Sequence, residues 1–247
     1  MYKNKLIYGI ITARGGSKSV PDKNLKKINK RPLIYFSIKT SLSSKLIDRT
    51  LISTDSIKIA KLAKKYGCEV PFLRPKKYAG DRSTDYEVFK NLSEQLKKQK
   101  ELPHYFVHLR PTSPIRNVKI IDLAIKKIIH SNNYDSLRSL SVSKESPYKM
   151  WLKNKNFIKP IISFKKFKDS HSIPRQILPL SYWQNGYVDI IKSSTILKKR
   201  SISGNKIFPF IIKKETMDID YLEDLKKVRK NFKRLKFNKR KVKRIPN

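Results

Sequence analysis

The sequence predicts a three-layer α/β fold on a mainly parallel sheet, and three observations carry that prediction. Apolar runs alternate with segments of helical period along most of the chain. Several of those runs are continuously apolar, as strands covered on both faces are. The first of them ends in a glycine-bearing polar loop, the place where open α/β sheets bind ligands.

Leu6–Thr12 (Leu-Ile-Tyr-Gly-Ile-Ile-Thr) reads as the first buried strand. Pro32–Leu42 follows as a helix, with Pro32 in the first turn, where its missing N–H costs nothing. Arg49–Thr54 is a second strand. Asp55 and Ser56 are cap candidates for a helix over Ile57–Tyr66, whose Ile59, Ala60, Leu62 and Ala63 share one face and which Gly67 stops. A short strand at Glu69–Leu73, a helix from about Ser83 to Lys97, a strand at His104–Leu109, a helix over Val118–Ile129 and a strand at Ser136–Val142 come next. From Lys144 to Trp183 the alternation fails. Aromatic, basic and proline-bearing pieces such as Tyr148–Trp151 and Phe164–Phe167 mark an inserted lobe over about 144–183. The chain returns to the sheet at Tyr187–Ile191 and Ile207–Ile212 and closes with a helix from near Tyr221. One domain over 1–235 and a basic, flexible tail over 236–247 are expected.

The chain holds 58 basic against 19 acidic residues, a formal charge of +39. Acidic partners would screen this excess. The charge is scattered, however, and heavy use of Lys, Ile and Asn is what an AT-rich genome produces. From Leu225 onward there are 12 basic residues and no acid, which reads as a frayed, solvated end. No helix-turn-helix, RNA-recognition or zinc-finger pattern points to a specific nucleic-acid partner. A single cysteine, Cys68, excludes an intramolecular disulfide, and the four histidines lack zinc spacing. The first apolar run is too short for a signal-peptide core, and no apolar stretch of about 18 residues follows. A cytoplasmic enzyme without a transmembrane segment is expected.

Thr12–Asn24 carries the chemistry. Gly15 and Gly16 let backbone N–H groups approach an anion, Arg14, Lys18 and Lys23 supply charge for a triphosphate, and Ser17 and Asn24 can hydrogen-bond. Neither the Gly-x-x-x-x-Gly-Lys-Ser/Thr loop nor Gly-x-Gly-x-x-Gly is present, which argues against an ATPase or a dehydrogenase. Near the C-terminus, Asp218 and Asp220 would share one face of an extended segment, about 7 Å apart at strand rise. Asp220 also reads as a helix N-cap with Glu223 as capping-box partner.

Ala13-Arg-Gly-Gly-Ser-Lys18 with Lys23-Asn24 resembles the N-terminal signature of acylneuraminate cytidylyltransferases. Arg49–Ser56, Tyr66–Pro75, Ala79–Asp81 and Arg110–Arg116 (Arg-Pro-Thr-Ser-Pro-Ile-Arg) follow in that family's order, so the resemblance spans nearly the whole chain. It implies a Rossmann-like nucleotide-diphospho-sugar transferase fold whose inserted lobe dimerises. It implies transfer of CMP from CTP to a nine-carbon 2-keto acid sugar, with release of pyrophosphate. Ala13, Arg14, Gly15, Gly16, Ser17, Lys18, Lys23, Asn24, Arg74, Asp81 and Ser83 would form the nucleotide site, Arg14, Lys18 and Asp218 acting in catalysis. Arg110, Thr112, Ser113, Gln184, Asn185 and Asp189 would line the sugar side, with Arg175 and Lys149 for the sugar's carboxylate. Asp218 and Asp220 would hold Mg2+. Two positions depart from the pattern: Arg110 stands where sialic acid enzymes usually have Gln, and Asp189 where they tend to have Tyr. Both put the acceptor's identity in question, leaving a nucleotidyltransferase for another sugar or nucleotide as the alternative and, ranked below it, a basic nucleic-acid or membrane-surface binding protein.

Overall fold

The computed structural model describes residues 1–163, 167, 169–213 and 216–242. In chain order the elements are β1 (Ile7–Thr12), β2 (Lys27–Ile28), β3 (Arg31–Pro32), α1 (Leu33–Leu42), β4 (Arg49–Ser53), α2 (Ile57–Lys65) and α3 (Asp85–Lys98). They continue with β5 (Tyr105–His108), α4 (Val118–His130), β6 (Ser136–Val142), β7 (Trp151–Asn154), β8 (Phe157–Pro160), β9 (Tyr182–Lys192), α5 (Ser193–Lys199), β10 (Ile207–Ile211) and α6 (Leu222–Val242).

Six strands form the central sheet in the order β10-β6-β9-β5-β1-β4. β1 runs parallel to both β4 and β5, and β10 parallel to β6; β9 alone is antiparallel to its neighbours. The sheet is therefore mainly parallel. Alternation along β1 feeds both faces. Ile11 packs with Ile34 and Ile38 of α1 and Ile59 and Ala63 of α2, whereas Tyr8 and Ile10 pack with Phe89, Leu92 and Leu96 of α3 and Ile196 of α5. Ile7, Tyr105 and Val107 join Ile121, Ala124, Ile125 and Ile128 of α4. Three layers result, α1, α2 and α4 on one face and α3 and α5 on the other.

Because β4 and β5 flank β1 on opposite sides, the chain reverses direction across the sheet at β1, and a crevice opens at its carboxyl end. That geometry places the loop after β1 beside the loop after β5.

Four local expectations change. Glu69–Leu73 contributes only an isolated bridge from Glu69 to Leu51, since Pro71 has no N–H to continue a ladder. Pro32 is the N-cap of α1, one residue ahead of its first turn. Helix α5 was not anticipated, because Ser193-Ser-Thr has weak helix propensity; Arg200 in the left-handed region ends it. The carboxylate that reaches back at the start of α6 is Asp224, whose Oδ2 accepts from Asp220 N at 3.1 Å and Tyr221 N at 2.9 Å. Glu223 falls one position short of that role because the helix begins at Leu222.

Between β6 and β9 the chain leaves the sheet. β7 and β8 pair as a separate antiparallel hairpin whose Trp151, Leu152, Phe157 and Ile158 are exposed. In the expected tail, the backbone to Val242 is part of α6; 243–247 lie outside the described residues, as do 164–166 of the lobe and Glu215 ahead of the acidic segment.

Candidate active site

A cleft of about 310 Å³ opens at the carboxyl end of β1. Three chain segments wall it: the loop over 12–24, the segment from Arg74 to Asp85, and Arg110–Thr112. Of the residues predicted for the nucleotide, Arg14, Ser17, Lys23, Asn24, Arg74, Asp81 and Ser83 line it. Ala13 is buried in the core beneath the loop.

The loop is braced from below. Gly15 N–H donates to Asp55 Oδ1 at 2.8 Å, and Asn24 Nδ2 donates to the Arg14 carbonyl at 3.0 Å. A Cβ on Gly15 would stand 3.0 Å from Ser56 Cβ, so glycine permits this close approach to the start of α2. Asp55 is thereby occupied, and capping of α2 falls to Ser56, whose Oγ accepts from Ile59 N.

The cations are held by an internal anion. Arg14 donates to the Gly80 carbonyl at 2.8 Å and lies 3.0 Å from Asp81, and Lys18 Nζ lies 2.6 Å from the same carboxylate. The Lys18 bond, with the charges of Lys18 and Arg14, holds the Asp81 carboxyl below the usual carboxylate range. Arg74 is buried, donating to the Ser53 carbonyl at 2.6 Å and the Tyr78 carbonyl at 3.3 Å, while its Nε has no partner among the described residues. Burial lowers its pKa from the ordinary arginine value.

The acidic segment faces the loop. Lys23 Nζ donates to the Ile219 carbonyl at 2.8 Å and lies 3.9 Å from Asp220 Oδ1. No strand forms over 216–220; Ile219 is buried between a partly buried Asp218 and an exposed Asp220. Asp218 Oδ1 accepts from Ile219 N at 3.0 Å and from Ser113 Oγ at 3.5 Å. Gly186, at φ +64°, lies against Asp218, where a Cβ would come within 3.3 Å of Oδ2. Partial burial and then the neighbouring Asp218 charge push the Asp220 carboxyl upward.

The sugar-side residues form a closed network. Asp189, 0% exposed, pairs with Arg110 and lies 3.0 Å from Arg138. Arg110 also reaches Asp85 at 2.6 Å, and Gln184 donates to Asp189 at 3.1 Å. The permanent charge of Arg110 is therefore compensated: burial opposes it, but Asp189 and Asp85 outweigh that and raise its pKa. Asn185 is buried, its amide bonded to Ser139 Oγ, Ser141 Oγ and Tyr187 N. Arg116 donates to the carbonyls of Tyr187 at 2.6 Å and Arg110 at 2.8 Å; burial lowers its pKa to about 10. Thr112 lines the cleft. Lys149 and Arg175 are exposed in the lobe and line none of it; Arg175 donates to the Ser143 carbonyl at 2.9 Å.

Two residues of the site escaped sequence reasoning, Asp85 on the cleft wall and His108 buried beneath it. Asp85 looks like an ordinary acid in the first turn of α3, beside the Thr84–Glu87 capping box. His108 is hidden in an apolar strand, where its Nε2 meets Thr12 Oγ1 at 2.9 Å and burial holds its pKa well below the ordinary value.

Fold and cleft together define a nucleotidyltransferase. The chain belongs to the cytidylyltransferase family, whose profile matches residues 8–236. It is 32% identical to the post-translational flagellin modification protein B of Campylobacter coli over 87% of this chain and 90% of that one. It is 30% identical to the CMP-N,N'-diacetyllegionaminic acid synthase of Legionella pneumophila over the same shares. The pseudaminic acid cytidylyltransferase of Campylobacter jejuni is 36% identical over 50% of this chain, and the match spans about half of that relative, 53%. A CMP:2-keto-3-deoxy-manno-octonic acid synthetase solved with CTP has a similar fold, at TM-score 0.70 and 12% identity over 93% of this chain and 99% of that one.

Proposed function

We propose that the chain transfers CMP from CTP to the anomeric hydroxyl of a nine-carbon 2-keto acid sugar of the sialic, legionaminic or pseudaminic type. The observation that carries this reading is the cleft itself: Arg14 and Arg74 line it, Lys18 is held at its edge by Asp81, and the Asp218–Asp220 pair is tied to its loop through Lys23. The anomeric oxygen forms a bond to the α-phosphorus, the bond from that phosphorus to the bridging oxygen breaks, pyrophosphate departs, and the hydroxyl proton passes to solvent. The protein's share is positioning and charge neutralisation. Arg14 and Lys18 exchange Asp81 for triphosphate oxygens, and Lys23 keeps the loop registered against the acidic segment.

Mg2+ is part of the proposal, and the residues fit it. Asp218 and Asp220 are hard oxygen donors whose mutual repulsion a divalent cation would relieve. Among the described residues no group of three or more Asp, Glu, His or Cys gathers, in keeping with an ion that takes one or two carboxylates and completes its shell with phosphate and water. When bound, it would screen the α-phosphate and the leaving pyrophosphate.

A homodimer is also proposed. The lobe exposes Trp151, Leu152, Phe157, Ile158, Leu180 and Trp183, an apolar surface of the kind that a second copy covers. Lys149 and Arg175, remote from their own cleft, would then act on the sugar carboxylate of the partner's site. Light scattering should report twice the chain mass; a monomer at working concentration overturns this part. The single buried thiol suits a reducing cytoplasm.

Purified protein with CTP, Mg2+ and a panel of nine-carbon acids should release pyrophosphate with at least one of them. Folded protein that releases it with none sinks the acceptor reading.

A further inference from the structure

We propose that Asp189 is a positioning residue that acts on the acceptor sugar through Arg110, and that the pair sets acceptor selectivity. The inference rests on the acceptor reading above. It starts from the row that crosses the sheet beneath the cleft. Asp189 on β9 is in register with His108 of β5 and Arg138 of β6. A carboxylate sealed from water must be paired and hydrogen-bonded, and Asp189 takes Arg110, Arg138 and Gln184.

The pairs continue outward. Arg138, Asp189, Arg110 and Asp85 form a chain of alternating charge with zero sum, running from the sheet interior to the cleft wall. Two members face out: Arg110, its side chain 23% exposed, and Asp85, 35% exposed, line the cleft together, and Arg110 is the cation of the two. One terminal nitrogen goes to Asp189 and the other to Asp85, so the guanidinium plane is fixed at both ends of its fork. Its Cδ lies 3.9 Å from where a Gly186 Cβ would be, and Gly186 abuts Asp218. Arg110 thus lines the cleft beside Gly186 and the acidic segment, the side on which the proposed reaction would bring in the acceptor.

Neutralisation alone does not require this pair. Without Arg110, Asp189 keeps Arg138 and Gln184; without the Asp189 charge, Arg110 keeps Asp85. What only the pair supplies is the orientation of Arg110. Arg110 and Asp189 are also the two positions that depart from the family pattern on the sugar side, and although 79 residues apart they contact each other.

The test measures steady-state constants for both substrates, with the acid that wild type uses best, in Arg110→Gln, Arg110→Lys, Asp189→Asn and the Arg110→Gln/Asp189→Asn double variant. Each single change should lower the acceptor kcat/KM about tenfold or more while the CTP KM stays within about twofold. The lysine should not rescue, because one ammonium cannot span both carboxylates. The double variant should be no worse than the weaker single, since both changes remove one orientation. Losses that multiply in the double variant, a loss lodged in the CTP KM, or wild-type constants in Arg110→Lys would each overturn the proposal. Should Asp189→Asn fail to fold, the two Arg110 variants decide alone. Wild type that turns over no acid of the panel removes the acceptor reading and this inference together; active wild type with unaltered variants removes only the inference.

Discussion

The two walls of the cleft are built on opposite plans. On the nucleotide side Arg14 and Lys18 are partly to largely exposed and are held by one exposed carboxylate, Asp81. On the sugar side Asp189 and Arg138 are buried, and Arg138, Asp189, Arg110 and Asp85 balance one another's charges within the fold. Exposed ion pairs are worth little and exchange readily; buried ones break only at high cost. On the proposed reading, the first wall would trade an internal anion for triphosphate, and the second would keep its shape while a sugar docks.

The largest effect that separates the walls from the chemistry between them should come from Asp218→Asn. Turnover should fall by about 1,000-fold or more while CTP binding weakens only a few-fold, because charge on the leaving group develops late. Near wild-type turnover would remove Asp218 from the metal site. Arg14→Ala should raise the CTP KM and lower kcat/KM about 100-fold, with the acceptor KM little changed; an effect confined to the acceptor would reverse the assignment of the walls.

A smaller change of opposite sign is expected at Asp81. Asp81→Asn frees Arg14 and Lys18, so CTP should bind about two- to fivefold more tightly, and calorimetry showing weaker binding would mean that Asp81 holds the loop in place instead. The acidic pair carries a pH signature. A proton competes with metal for a carboxylate, and the Asp220 pKa is raised by burial and by Asp218. Mg2+ demand should therefore begin to rise, as pH falls, at a higher pH than an unperturbed carboxylate allows. Demand that stays flat until the ordinary aspartate range removes Asp220 from the site. Least of all, Ser56→Ala should cost about 1 kcal/mol of stability through its helix cap and leave both KM values alone.

The nucleotide wall was legible in the sequence because it is local. A continuous apolar run followed by Arg14, Gly15, Gly16, Ser17, Lys18 and Asn24 predicts a strand that ends in a glycine-bearing polar loop, and the structure has that loop at the end of β1, beside the cleft. Arg74 and Asp81 were found only through the family resemblance, and Asp85 was concealed by its service to a helix terminus. The sugar wall resisted reading because its meaning lies in pairing across distance. Arg110 alone looked like an added charge and Asp189 like a lost tyrosine; only the antiparallel insertion of β9 between β5 and β6 brings them together. Asn185, expected on the sugar side, has its amide committed to Ser139, Ser141 and Tyr187 in the β6–β9 ladder. Strand alternation predicted the sheet well, but Pro71 cut one strand to a bridge and Ser193-Ser-Thr disguised a helix.

The central claim is that the loop after β1 holds a cytidine triphosphate, and calorimetric titration tests it most directly. CTP, UTP, ATP and GTP would be titrated in Mg2+ into wild type and into the Arg14→Ala/Lys18→Ala double variant, with thermal stability followed in parallel. CTP should bind the wild type more tightly than the other three, and the double variant should lose at least about tenfold in affinity at unchanged Tm. Equal CTP affinity in the two proteins, or no preference for CTP in the wild type, would contradict the account.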